Sequence, residues 1–286
     1  VDPEIPVPPR FYGGIERIVH MLVNGLSARG HDVYLFAHPD SRMQASLVPY
    51  RGLRSGSLYD TIRNAAQIAR FVYRLPAIDI VHSFSRLAYV APLLLTRVPV
   101  VQSYQRHISS LSVRQGLFLS GGRLRFTACS QFCVDAVASA GGRWEVIPNG
   151  VPLSLFHMQE AVSAEAPLVF LGRIEYIKGA HIAIDVARRS GKRLIIAGNH
   201  ASEGKEYVYF KEHIMPHCDG ERIRYIGPVD DLQKNELLGT ACALLFPVIW
   251  DEPFGIVMAE SFACGTPVIA LRRGAVPEVV RHGTTG

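Results

Sequence analysis

The strongest constraint on this chain is an alternation that runs twice along its 286 residues. Short apolar and β-branched runs fall at positions 32–37, 79–84, 99–104, 124–130 and 144–148. Segments of helical spacing lie between them, clearest at 58–75 and 131–140. Ahead of these, Gly13-Gly14 opens a helix expected to reach about Ala28, with Ile15, Ile18, Val19, Leu22, Val23 and Leu26 on one face and Gly30 closing it. Asn149-Gly150 breaks the pattern, and after a polar stretch to Pro167 it begins again. The second half reads as strands at 168–174, 193–198, 222–227, 243–248 and 267–271, with helices near 180–190, 207–217, 231–240 and 255–264. Strands separated by helices cannot form tight hairpins, so they pair in parallel through right-handed crossovers. The expected fold is α/β: two Rossmann-like, doubly wound parallel-sheet domains facing across a cleft, 1–150 and 151–286. The opening VDPEIPVPPRFYGG reads as neither a signal peptide nor a strand. A leading strand before Val1, and further structure after Gly286, are expected to be missing.

Composition excludes several classes. Hydrophobic residues make up 48% and charged residues 19%, which argues for packed domains and against disorder. No apolar run approaches the roughly 18 residues that a membrane-spanning helix needs. The five cysteines form no Cys-x-x-Cys pair, and Cys129 and Cys133 sit among apolar neighbours, so they read as core thiols in a reducing, cytoplasmic setting. Charge is uneven: residues 1–150 hold sixteen arginines, no lysine and nine acids, a net +7, against −2 for the remainder. A basic first domain suits acidic acceptors or peripheral contact with an anionic inner-membrane surface, with Arg63, Arg70 and Arg74 as one such face. A solvated helix face explains the same arginines. A nucleic-acid role is not supported, since aromatics do not interleave with the basic excess.

The chemistry concentrates in PVIWDEPFGIVMAESFACGTPVIALRRGAVP, residues 247–277. Glu252 lies in a loop; Pro253-Phe254-Gly255 breaks the chain; Ile256, Val257, Ala259 and Ala263 give helical spacing; Gly265 caps the end and Pro267 forbids continuation. Glu260 therefore stands on a short, otherwise apolar helix, where a carboxylate is costly unless hydrogen-bonded. A core arginine is the plain explanation for such a residue. The helix start near Gly255 offers free amides to an anionic or hydroxyl-rich ligand.

Three further places carry functional residue types. Gly13-Gly14 precedes a helix start, where backbone can approach a phosphate, although an ordinary loop turn uses the same glycines. Gly172-Arg173, with Lys178-Gly179, follows a strand end and places a guanidinium and an ammonium where open α/β sheets bind ligands; a surface ion pair with Glu175 is the alternative. His82 and Gln105 lie near strand C-terminal ends, with a satisfied core imidazole as the other reading of His82.

In this order the segments resemble glycosyltransferase family 4, retaining enzymes of the GT-B fold. Gly13-Gly14-Ile15-Glu16-Arg17 is similar to its glycine loop, Ile147-Pro148-Asn149-Gly150-Val151 to its interdomain stretch, and Gly172-Arg173 with Lys178-Gly179 to its diphosphate clamp. Glu252 through Glu260, followed by Cys264-Gly265-Thr266-Pro267-Val268, resembles its Glu-x7-Glu signature. The resemblance implies a glycosyltransferase moving a hexose from a nucleoside diphosphate sugar, UDP-type, to a saccharide, lipid or small-molecule hydroxyl, without metal or other cofactor. Arg173 and Lys178 would neutralise the leaving β-phosphate, with Gly13 and Gly14 helping to enclose it. Glu252 would accept donor-sugar hydroxyls, the backbone of Phe254, Gly255 and Ile256 would fix the ring, and Glu260 would hold the ribose. One departure is Ser103-Tyr104-Gln105-Arg106, where relatives carry Thr-x-His-Gly; Gln105 can hydrogen-bond a sugar hydroxyl but cannot carry charge, and two readings stay open: compensation by His82 or His107, or a different handling of the acceptor. A nucleotide-sugar epimerase and a non-catalytic sugar-nucleotide binder remain open alternatives.

Overall fold

The computed structural model describes residues 1–11, 13–75 and 77–286; within the opening stretch, Tyr12 lies outside the described residues. Contacts divide the chain into two units, Val1–Pro148 and Asn149–Gly286.

In the first unit the order is α1 (Gly14–Ser27), β1 (Tyr34–Ala37), β2 (Ser46–Pro49), α2 (Leu58–Arg74), β3 (Val81–Ser83), α3 (Leu87–Leu94), β4 (Val100–Tyr104), α4 (Ser110–Ser120), β5 (Arg125–Ala128), α5 (Gln131–Asp135) and β6 (Arg143–Val146). Strands β3, β4, β5 and β6 pair in parallel in that order, while β1 and β2 form a separate parallel pair. The expected helix over 131–140 ends at Asp135 and is followed by a single 3₁₀ turn at Ala138–Ala140, which Gly141 and Gly142 close in positive-φ backbone. Strand β2 and helices α3 and α4 were not distinct in the sequence. β2 is only half-buried, and α3 is so apolar that no helical stripe stands out.

The second unit runs β7 (Leu168–Leu171), α6 (Ala180–Ser190), β8 (Leu194–Ala197), α7 (Gly204–Tyr209), β9 (Ile223–Tyr225), α8 (Asp231–Gly239), β10 (Ala243–Phe246), α9 (Ile256–Ala263), β11 (Val268–Ala270) and α10 (Val276–Val279). The helix expected at 207–217 starts earlier, at Gly204, and continues as a π turn, Phe210–Ile214, and a 3₁₀ turn. Pro216 explains the ending: it has no N–H for a regular ladder. Five parallel strands stand in the order β11-β10-β7-β8-β9. Alternation along the central strands sorts their side chains to two cores. Leu168 and Phe170 of β7 pack with Ala183 and Ile184 of α6, while Val169 joins Leu244, Met258 and Leu237 on the other face. Each fully buried Leu or Val in these layers contributes about 1.5–3 kcal/mol.

This order creates a switch point. From β7 the chain winds outward through β8 and β9, then returns to lay β10 on the other side of β7. The helices that follow β7 and β10 therefore pack on opposite faces, α6 on one and α9 on the other, and ligands of sheets wound this way bind outside the strand C-terminal ends at this point.

Candidate active site

The loop after β7 carries Arg173 and Lys178; the loop after β10 carries Trp250 and Glu252. Across the switch point Lys178 Nζ donates to Glu252 Oε2 at 2.6 Å, and Trp250 Nε1 donates to the same oxygen at 2.6 Å. The ammonium also stands over the Trp250 ring, 4.8 Å from its centroid. Both ion-pair partners are nearly withdrawn from water, at 15% and 13% side-chain exposure. Both donors use one oxygen, so among the described residues Glu252 Oε1 receives no protein hydrogen bond.

The glycine at 179 explains how the two loops come so close. Its φ of 78° is left-handed, and a Cβ there would stand 2.1 Å from the Pro247 carbonyl oxygen. A neighbouring backbone bond, Ile249 N–H to Ile177 C=O at 2.9 Å, fastens the pair further. On the opposite side the loop after β11 grips the Glu252 segment. Ala275 N–H donates to Glu252 C=O at 2.9 Å, Arg273 Nη1 donates to Ile249 C=O at 2.7 Å, and Gly274 lies against the Glu252 backbone. Glu252 is thus fixed from three strands.

Arg173 takes the alternative that the sequence left open: its Nη1 pairs with Glu175 Oε1. Glu260 is 3% exposed on α9, and its burial is answered by a residue the sequence did not single out. Lys234 Nζ of α8 donates to Glu260 Oε1 at 2.6 Å, lies 3.4 Å from Asp231, and stands over the buried Phe156 ring. Asp230, read as a helix cap, makes a complete capping box with Gln233. Phe254 is buried, Gly255 enters α9 in left-handed conformation, and Ile256 begins the helix without a side-chain cap. Among the described residues, the first amides of α9 are therefore not satisfied by a neighbouring side chain.

In the first unit Gly13 precedes α1 and Gly14 is its first residue. Glu16, in the first turn, is buried, and desolvation raises its pKa. His82 Nε2 bonds Ser103 Oγ at 2.6 Å, and Ser103 Oγ bonds Thr127 Oγ1 at 2.5 Å, a polar chain across β3, β4 and β5. One edge of the imidazole reaches solvent, but its bonding edge packs on β4 and on Phe84, and this desolvation lowers its pKa to about 4. Gln105 follows β4 and is half-buried. Among the described residues no three His, Cys, Asp or Glu side chains group to hold a metal ion. The sequence missed Lys234, Trp250, Arg273 and Gly274. Only Trp250 carried a signal, an indole two residues before the loop carboxylate.

A doubly wound sheet with cations and a clamped carboxylate at its switch point defines a class, α/β proteins with a ligand crevice outside the strand C-termini. Comparison with known proteins narrows it. The family model described as Glycosyltransferase Family 4 matches residues 12–155, and that described as Glycosyl transferases group 1 matches residues 158–286. This chain belongs to glycosyltransferase family 4 and is a glycosyltransferase of GT-B architecture. It is 27% identical to the glycogen synthase of Mycobacterium tuberculosis, across 98% of this chain and 79% of that protein. With the D-inositol 3-phosphate glycosyltransferase of Acidothermus cellulolyticus it shares 26% identity over 85% of this chain and 58% of the relative. Among solved structures it is similar to AviGT4, a glycosyltransferase involved in avilamycin A biosynthesis, with 27% identity, a TM-score of 0.72 and coverage of 96% and 76%. Anabaena Alr3699/HepE in complex with UDP and glucose has the same fold at 22% identity and a TM-score of 0.75, covering 96% and 81%.

Proposed function

We propose that the crevice between the ends of β7 and β10 holds the diphosphate and sugar of a UDP-type donor, and that the sugar passes to an acceptor hydroxyl with retention and without metal. The observation that carries this reading is the Lys178–Glu252 pair with its Trp250 support. It sets a cation and a carboxylate with one unengaged oxygen side by side, the complement of a phosphate next to a sugar hydroxyl. The uncapped start of α9, with Phe254, Gly255 and Ile256, adds backbone donors for the same ligand. Glu260, steadied by Lys234, is assigned the ribose hydroxyls. The complex of Anabaena Alr3699/HepE with UDP-glucose supports the UDP assignment. The relatives' names favour a glucan or an inositol phosphate as the acceptor type.

As the C1–O bond to the β-phosphate lengthens, negative charge builds on the leaving oxygen. Lys178 has three N–H donors, so it keeps Glu252 and still meets a phosphate oxygen. Arg173 exchanges the Glu175 carboxylate for the more highly charged diphosphate. The acceptor oxygen attacks from the face the diphosphate leaves, and the departing phosphate oxygen takes the acceptor proton; no side chain forms a bond to the sugar. Stabilisation of this kind is worth about 100-fold or more per contact. His82, neutral at pH 7, serves as a hydrogen-bonding group and not a cation. The basic first unit is read as the side that meets an acidic acceptor or an anionic membrane surface.

The test is incubation with UDP-, GDP- and ADP-sugars and a panel of glucan and inositol phosphate acceptors, with NMR of the product linkage. Transfer from the UDP sugar in the donor's own anomeric configuration supports the reading. An inverted linkage overturns retention, and an epimerised donor without acceptor assigns an epimerase instead.

A further inference from the structure

We infer that the first unit docks on an anionic lipid bilayer through a face built by α2 and α4, with α3 packed between them. The inference deepens the peripheral contact proposed above by assigning it to particular residues, and it is independent of the donor site. Helix α2 buries Ala65, Ile68 and Val72 against the core, yet its outer face is not simply polar. Leu58 is 74% and Tyr59 71% exposed, with Ile62 and Tyr73 further along the same helix. Arg63, Arg70 and Arg74 interleave with them and are exposed. Helix α4 repeats the arrangement at helical spacing, with Leu111, Arg114 and Phe118, the last 86% exposed. Large apolar side chains alternating with arginines on an outer helix face are the composition of a helix that lies in a headgroup layer.

Charge selects the occupant. Between Ser41 and Val134 the chain has twelve arginines, no lysine and only two acids, Asp60 and Asp79. Asp60 is buried and turned inward, accepting the backbone N–H of Arg54. Helix α4 contains no acid, and α2 contains only Asp60. A second copy seated on this face would set arginine against arginine, with no exposed carboxylate on either helix to relieve it. An anionic surface meets the arginines through phosphates while the tyrosyl, leucyl and phenylalanyl groups enter the acyl boundary. Arginine suits this contact because its fork binds phosphate in a bidentate manner.

The experiment is sedimentation of the full chain with vesicles of phosphatidylcholine alone and of phosphatidylcholine mixed with phosphatidylglycerol, with no sugar nucleotide present. Binding is expected to the mixed vesicles, to weaken in high salt, and to be poor to phosphatidylcholine alone. Arg63→Glu with Arg70→Glu and Arg74→Glu should lower binding by about 100-fold. Ile62→Ser with Phe118→Ser should lower it while leaving the thermal unfolding midpoint in place, which separates docking from misfolding. Equal binding to both vesicle types, absence of binding, or full binding by both variants overturns the inference. So does self-association that the same variants abolish, which assigns the face to a second copy, or capture by soluble polyglutamate in place of vesicles, which assigns it to an acidic protein.

Discussion

Lys178 and Glu252 lie 74 residues apart in sequence, yet their charged atoms meet at 2.6 Å across the point where the second sheet reverses its winding. Neither residue is held only by the other. Trp250 adds a donor and an aromatic face, and the loop after β11 fixes the Glu252 backbone. This clamp brings together two segments that the sequence presents separately.

Trp250 is a positioning residue for that carboxylate. Trp250→Phe keeps an aromatic face for Lys178 but removes the N–H donated to Glu252. Loss of one hydrogen bond to a charged group costs about 1.5–3 kcal/mol where it acts. Steady-state kinetics should show KM for the donor rising or kcat falling by at least about tenfold, with a near-native unfolding midpoint.

The Lys234–Glu260 pair is a buried pair whose breakage strands a charge. Lys234→Met alone should destabilise by about 3–5 kcal/mol, as should Glu260→Ala. The double substitution Lys234→Met/Glu260→Leu should cost clearly less than the two singles together. Urea unfolding of all four proteins checks this; additive losses would mean that the two side chains do not depend on each other.

Gly179→Ala tests the close approach of the two loops. Left-handed backbone costs a non-glycine residue about 1–2 kcal/mol, and the new methyl would meet the Pro247 carbonyl oxygen as well. Thermal unfolding should shift downward, and donor binding should weaken with it.

The folded state lowers the pKa of His82 to about 4, so the neutral ring is the stable form. As pH falls through the unfolded value near 6.5, the unfolded chain takes up the proton first, and stability declines until about pH 4, where the folded form is protonated too. Between those limits stability rises with pH. His82→Gln should flatten this part of the profile, measured as the urea midpoint against pH.

Cys264 is buried, and burial, with the Glu260 carboxylate second, pushes its thiol up to about 11. Native protein at pH 8 should leave it unalkylated by iodoacetamide, while urea-unfolded protein should react there. Mass spectrometry of the peptide containing Cys264 reads the difference.

Much of this was legible in the chain. Parallel α/β halves followed from strand–helix alternation, and the Glu-x7-Glu stretch placed Glu252 before a helix and Glu260 on it, as found. Side-chain partners were not legible, for physical reasons. Lys234 lies 26 residues from Glu260 and meets it only because α8 packs on α9. Arg273 and Gly274 act through backbone contacts with the Glu252 loop, which no residue pattern announces. Helix α3 is apolar around much of its surface, so its periodicity vanishes, and the π turn at Phe210–Ile214 is a packing outcome invisible to helical spacing. His82 was visible as a rim histidine, but its neutrality depends on Ser103 and Phe84, placed beside it by the sheet.

The most direct test is calorimetric titration of UDP and of its sugar into the wild-type chain, Lys178→Ala and Arg173→Ala. Binding by the wild type, with both variants at least about tenfold weaker and all three equally folded by circular dichroism, is the predicted result. Undiminished affinity in both variants would show that the donor diphosphate does not lie between β7 and β10.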